Sequence, residues 1–388
     1  LGFGREQQRI RASLTGRTPI VAADIAGDKD LTKRMLAGSG VPVPEGAVVR
    51  SAEQAVRTAR RLGWPLVTKP LDGNHGRGVT SGISDEGQLR AGFERAREHA
   101  RKVIVEQHFQ GHDHRILVVD GQMVAVAERV PARVIGDGAS SIAELIEQAN
   151  RDPRRGDGHE KVMTKIRIDG ELEAHIARTA LTVASVPAWG QGVELLPTAN
   201  LSTGGTAIDR TNAIHPDNVE IARRAAAIVG LDVAGIDVIA PDISRAVRVT
   251  GGGVIEVNAA PGLCMHLQPS EGPPRDVARP VIDMLFPNGS RGRIPIVAIT
   301  GTNGKSTVSR MVSHILRYTG RTVGTTTSNG VYVNDLLVAK GDATGPRSAR
   351  MLLRDPSVEM AVLETARGGL LREGLAFDEA DVAAVLNL

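Results

Sequence analysis

The 388-residue sequence has a single cysteine, Cys264, so no disulfide can form within the chain, and a reducing, cytoplasmic setting is expected. Aromatic residues are nearly absent. Two Trp, two Tyr and five Phe leave Leu, Ile, Val and Ala to fill the interior. No apolar run approaches the roughly 20 residues needed to cross a bilayer, so no membrane partner is expected. An excess of one charge is missing too: 47 Lys and Arg face 44 Asp and Glu. No basic run is joined to aromatics on which bases could stack, which argues against nucleic acid as a partner. No signal peptide opens the chain. Leu1 stands where a methionine is usual, and Val382 to Leu386 reads as a strand interrupted within its sheet, so both ends are read as artificial.

What is present is the balance of a globular protein, 41% hydrophobic and 23% charged, in a chain longer than one core usually serves. Two domains are expected. Ser51 and Gln54 form a capping box ahead of Ala55, Val56, Ala59 and Leu62, and Gly63 stops that helix. A strand over 66–69, a glycine-rich turn to Gly78, a charged helix around 93–102 and a strand over 103–107 follow. Residues 116–120 and 123–127, joined at Asp120-Gly121, read as a hairpin. Asp217 and Glu220 cap a helix running to Gly230, with strands over 236–240 and 254–258 beyond it. The stretch from Asn288 to Pro295 is punctuated by Asn-Gly-Ser-Arg-Gly and reads as a linker. A strand over 296–300, a glycine loop and a helix with an apolar face of Val308, Met311, Val312, Ile315 and Leu316 come next. The resulting division is 1–288, a linker 289–295, and 296–388.

Phosphoryl transfer from ATP needs cations on the triphosphate, a cover that excludes water and oxygen ligands for magnesium. Lys29, in Gly-Asp-Lys, and Lys69, at a strand end, can supply point charges. Directly after Lys69 the loop from Asp72 to Gly78 allows close backbone approach at Gly76 and Gly78, with His75 and Arg77 as donors. Glu256 and Asn258, two apart on a strand, emerge on one face, and Asp237 lies on the preceding strand. Two carboxylates and an amide oxygen make a hard oxygen set suited to magnesium; an isolated Glu-x-Asn also fits polar residues at a sheet edge. Arg210 follows the glycine pair of Leu201-Ser-Thr-Gly-Gly205 and is a candidate for the acyl phosphate or a substrate carboxylate, with Lys165 and Arg115 as weaker candidates.

These residues resemble the ATP-grasp superfamily. The resemblance implies that Lys29 and Lys69 hold the α- and β-phosphates, that the hinge Glu106-Gln-His-Phe109 reads adenine through Glu106, Phe109 and backbone groups, and that Asp113 binds ribose. It also implies that Asp237, Glu256 and Asn258 are the magnesium triplet, although an inserted Gly251-Gly-Gly253 lengthens the connection between them.

Thr300-Gly-Thr-Asn-Gly-Lys-Ser-Thr307 lies between a strand and a helix, the setting of a phosphate loop. Backbone amides of Gly301, Thr302, Asn303 and Gly304 and the helix start at Thr307 would cradle phosphates, Lys305 reach them, and Ser306 bind magnesium. The strict Walker spacing is not met, because its first glycine falls at Ile299. The shorter form is similar to the Mur-type ligases and to folylpolyglutamate synthases. That resemblance implies Glu364 as a second magnesium ligand, and Asn387 stands where the Mur pattern leads toward an Asp-His pair.

Both halves together resemble the cyanophycin synthetase family, through Leu1-Gly-Phe-Gly4, 28–33, 69–78, 341–350 and 364–374. The resemblance implies a fold class of α/β and α+β: an ATP-grasp fold, then the opening of a P-loop-containing Mur ligase central domain with a parallel sheet and flanking helices. It implies ATP and magnesium, and aspartate, arginine and a cyanophycin-type polymer primer as partners, in a homo-oligomer. One module would add aspartate to the backbone and the other arginine to its β-carboxylate, with a further amino-terminal domain holding the polymer. Two positions depart from the pattern. Leu263-Cys264 replaces a pair expected to contain arginine, for which Arg275 or Arg279 would compensate, and Asn329 replaces an aspartate.

Overall fold

A computed structural model describes residues 1–71, 78–157 and 161–387. The chain falls into two compact units, one of residues 11–284 and one in which residues 1–10 pack with the chain from 285 onward. The loop carrying His75 and Gly76 lies outside the described residues.

The 11–284 unit is built from two sheets and a smaller lobe. A four-stranded antiparallel sheet runs in the order Gly46–Val49, Val103–Gln107, Leu66–Pro70, Thr80–Ile83. Helices Ala52–Leu62 and Glu86–Arg97 cover it, burying Val49, Ala55, Leu66, Leu89 and Phe93 together. The Ser51 hydroxyl caps the first helix at the Gln54 amide, but the Gln54 side chain reaches the Arg50 amide rather than that of Ser51. The charged helix starts earlier than its composition suggests, because Asp85 caps it, and it ends at Arg97.

The second sheet has five antiparallel strands: Thr206–Asp209, Gln122–Val130, His112–Val119, Val233–Ala240 and Gly253–Asn258. Its apolar face packs on helices Lys29–Gly38 and Pro216–Val229 around Leu36, Ile116, Ile221, Ala225 and Ile236. The latter helix is capped by His215, whose ring accepts from the Asp217 amide, with Pro216 in the first turn; the Asp217 and Glu220 cap read from the sequence gives way to that proline start. A lobe between the strands ending at Val130 and beginning at Thr206 pairs Arg133–Ile135 with Gly192–Glu194 and packs helices Ile142–Asn150 and Gly170–Ala177 around its own core of Val134, Ile142, Leu172, Ile176 and Val193.

In the other unit, a six-stranded sheet runs in the order Leu336–Lys340, Gly330–Val333, Val323–Thr327, Met360–Glu364, Ile296–Thr300, Val382–Val385. The last four strands are mutually parallel. Helix Lys305–Arg317 packs on this sheet through Val308, Val312 and Leu316, whereas Met311 and Ile315 are exposed. Its inner face is completed by Ser309 and Ser313, both buried, the latter accepting a 2.6 Å hydrogen bond from Thr325. Small hydroxyl residues thus occupy positions that a hydrophobicity pattern assigns to Met311 and Ile315.

Candidate functional site

Strand ends of the two sheets in the 11–284 unit surround a cavity of about 880 Å³. Lys29, Lys69, Glu106, Phe109, Asp113, Asp237, Glu256 and Asn258, all read as site residues from the sequence, line it. Lys69 leaves the strand Leu66–Pro70 and Glu106 the neighbouring strand, and the two join through a 2.8 Å ion pair. The other Glu106 oxygen bonds the Lys33 ammonium, so one buried carboxylate spans two lysines. Burial lowers Lys69 to about 8, and burial together with the neighbouring Lys69 charge holds Lys33 well below the ordinary lysine range. Lys33 was not singled out from sequence. Its place four residues after Lys29 on one helix, and so on the same face, was the available signal.

On the second sheet, Asp113 and Arg129 are direct cross-strand partners joined by bonds of 2.6, 2.8 and 3.1 Å. Arg129 also donates to Asp237 at 2.9 Å, and Arg115 grips the same carboxylate through two nitrogens. Burial acts to raise Asp237, but Arg115 and Arg129 outweigh it and hold the acid below its usual range; for Asp113 burial prevails and raises it. Arg115 reaches Asp237 through space left open by Gly235. A Cβ there would meet Pro261 Cβ at 2.6 Å and Arg115 Cδ at 3.0 Å.

Asp237 faces Glu256 in register, and Gly235 faces Asn258. Glu256 lies 3.5 Å from Lys29. The Asn258 amide nitrogen donates to the Gly235 carbonyl at 3.2 Å, which commits the nitrogen side of that group and leaves its oxygen for a cation. Glu256 and the Asn258 oxygen are hard donors of the kind magnesium takes, whereas both Asp237 oxygens are engaged by Arg115 and Arg129, which an ion there would have to displace. Among the described residues no group of three or more His, Cys, Asp and Glu is arranged for a metal, so an ion here would draw further ligands from the phosphates.

Other expected residues are placed differently. Arg210 does not line the cavity; its Nε donates at 2.8 Å to Glu128, which does. Lys165 pairs with Asp157. Gly78 precedes Val79, a lining residue, and a Cβ added to it would meet the His99 ring at 2.5 Å. Arg275 is bound to Asp209 and Arg279 to Asp283, and neither lines this cavity. His266 is buried, neither ring nitrogen has a hydrogen-bond partner among the described residues, and burial lowers it to about 4.

In the other unit, the loop after the strand Ile296–Thr300 turns at Gly304, whose φ of 80° suits glycine, into helix Lys305–Arg317. Lys305 lies along its own loop and donates to the Gly301 and Thr302 carbonyls at 2.8 and 3.2 Å. Amides of Thr302 and Asn303 donate to the Asn387 side-chain oxygen at 2.7 and 2.9 Å. These are the donors a phosphate would use. Ser306 donates to the buried Glu364 at 2.7 Å and is 2.9 Å from the Ser328 hydroxyl; Thr307 is exposed in the first turn. A hydroxyl and a carboxylate in direct contact beside a phosphate loop again fit magnesium.

Comparison with known proteins bears on both sites. Residues 26–136 match the RimK-like ATP-grasp domain and residues 299–388 the Mur ligase middle domain. The chain therefore joins an ATP-grasp domain to a Mur ligase middle domain. Within that class it belongs with the cyanophycin synthetases. It is 54% identical to the cyanophycin synthetase of Trichormus variabilis over its whole length and 43% of that protein, and 51% identical to that of Synechocystis over its whole length and 45% of that protein. The chain thus spans less than half the length of these relatives. Over 74% of the chain it is 35% identical to a glutathione biosynthesis bifunctional protein of Mannheimia succiniciproducens, covering 39% of that protein. The crystal structure of a bifunctional glutathione synthetase from Pasteurella multocida superposes with a TM-score of 0.53 at 34% identity, covering 70% of this chain and 38% of that one. No described helix is long and apolar enough to cross a membrane.

Proposed function

We propose that the protein is an ATP-dependent amide ligase of cyanophycin synthesis that activates carboxylates as acyl phosphates at two nucleotide sites. The observation that carries this reading is the convergence of Lys29, Lys69, Asp237, Glu256 and Asn258 on one cavity. There the lysines would exchange their carboxylate partners for the triphosphate. Magnesium, held by Asp237, Glu256 and Asn258, would neutralise phosphate oxygens. Arg115 and Arg129 lie against Asp237 and would offset charge on the transferring group, with Arg210 acting through Glu128. This site would add aspartate to a polymer primer.

In the other unit, Lys305 would leave the loop carbonyls for phosphate, and Ser306 and Glu364 would hold magnesium. That site would join arginine to the β-carboxylate. A homo-oligomer and the cytoplasmic setting expected from the single cysteine belong to the same proposal.

The similarity to glutathione biosynthesis proteins favours one alternative, a ligase joining other amino acids. Two measurements test these readings. Equilibrium titration with ATP should find two sites, one abolished by Lys69→Ala and the other by Lys305→Ala. Phosphate release by the chain with primer should depend on aspartate; dependence on another amino acid instead would favour the alternative. Loss of both nucleotide sites from either single substitution would refute two independent centres.

A further inference from the structure

Among the described residues, the lysine and arginine cations on the wall of the large cavity are neutralised with one exception. Lys29, Lys69, Arg115 and Arg129 each lie against a carboxylate. Arg133 lines the same cavity, and among the described residues its guanidinium has no hydrogen bond and no acid within ion-pair distance. It stands on the strand Arg133–Ile135 of the small lobe, directly opposite Glu194 on Gly192–Glu194. Strand alternation explains why both face the cavity. Val134 and Val193 turn into the lobe's core, so their neighbours Arg133 and Glu194 emerge on the other side.

Opposite charges at facing positions of antiparallel strands are placed to bind each other. These two form no ion pair. The nearest ionisable partner of Glu194 is His175, at 3.7 Å, and burial lowers the His175 pKa, which favours the neutral ring. Among the described residues, a cation with no acid in reach and an anion whose one basic neighbour is an imidazole therefore stand side by side on a wall whose other lysines and arginines each lie against a carboxylate. That is the complement of a zwitterion.

We propose that Arg133 and Glu194 form the amino-acid subsite of this centre, the guanidinium binding the α-carboxylate and Glu194 the α-ammonium of a free amino acid. The assignment rests on the ligase reading and names where its amine substrate is held. A planar guanidinium matches a carboxylate with two parallel hydrogen bonds, which a lysine cannot reproduce. The lobe's separate core holds both strands in place, so the two charges are set apart before substrate arrives.

Two measurements on the 388-residue chain test it. In aspartate-dependent ADP formation, Arg133→Ala and Glu194→Gln should each raise the KM for aspartate about tenfold or more, with ATP affinity unchanged and Arg133→Lys intermediate. In calorimetric titration of aspartate into protein loaded with a non-hydrolysable ATP analogue, binding should weaken by the same factor. The double variant R133E/E194R should stay impaired, because the substrate's charges would meet the wrong partners; recovery would mean a cross-strand contact that merely shapes the lobe. Unchanged aspartate binding in Arg133→Ala, or no aspartate binding by the unaltered protein, overturns the subsite. Aspartate binding that depends on Arg133 without any aspartate-dependent ADP formation would leave the subsite standing and overturn the ligase reading alone.

Discussion

Lys69 and Glu106 lie 2.8 Å apart on adjacent strands, and the same carboxylate also holds Lys33. Glu106 is 3% exposed, so its removal strands two ammonium groups in a dry setting. Glu106→Ala should therefore cost about 3–5 kcal/mol of unfolding free energy. Denaturant unfolding followed by circular dichroism measures it; a loss below about 1 kcal/mol would show that the lysines find water instead.

Burial lowers Lys69 to about 8, and only its protonated form attracts phosphate. Below that pH the charge is complete, so nucleotide affinity at the first site should be flat from about pH 6 to 7.5 and then fall as pH rises through about 8, by up to tenfold per unit. Lys69→Arg should remove the decline, since a guanidinium stays charged. A titration of ATP affinity against pH decides the matter.

His114 and His266 are both buried, and burial lowers each from 6.5 to about 4. Between those values the unfolded chain binds protons that the folded chain refuses. Stability is therefore complete above about pH 6.5 and is lost as pH falls toward 4, by up to roughly 3 kcal/mol for each ring. His266→Gln should flatten part of that slope in urea unfolding measured from pH 7 to 4.

Gly235 leaves the space through which Arg115 passes to Asp237. Gly235→Ala should cost about 1–3 kcal/mol of stability through overpacking against Pro261. It should also weaken ATP binding at the first site while leaving the second unaffected. Equal ATP affinity in the variant would show that Arg115 keeps its position despite the added methyl group.

Ser306 and Glu364 touch at 2.7 Å in the other unit. Ser306→Ala and Glu364→Gln should each lower magnesium-dependent nucleotide affinity at that site about tenfold and leave the first site as it is. A two-site titration with and without magnesium separates the two effects.

Much of this arrangement was legible because it is local. The phosphate loop is a contiguous run with a strand before it and a helix after it, and the Glu256-x-Asn258 pair needs only the two-residue repeat of a strand. What escaped depends on register. The hairpin around Asp120-Gly121 was recognised, but its strands extend to His112 and Val130, and only that extension brings Arg129 opposite Asp113. Lys33 lies inside the matching segment 28–33, but no local signal distinguishes it as Gly-Asp-Lys distinguishes Lys29. Arg210 was assigned from its place after a glycine pair, and no local signal indicated that Glu128, 82 residues earlier, would hold its guanidinium. The inner face of helix Lys305–Arg317 departs from its apolar pattern because the buried Ser309 and Ser313 carry no hydrophobic signature.

Lys29, Lys33, Lys69, Arg115 and Arg129 face Glu106, Asp113, Asp237 and Glu256, so most of the positive charge around this chamber is already compensated. On the proposed reading, an arriving triphosphate would displace resident anions instead of meeting bare positive charge. The gain on entry is then a difference between two sets of contacts, and departure is helped by the resident acids reclaiming their cations. On the ligase reading proposed above, a chamber arranged this way would trade tight grip for turnover, letting spent nucleotide leave between successive bonds.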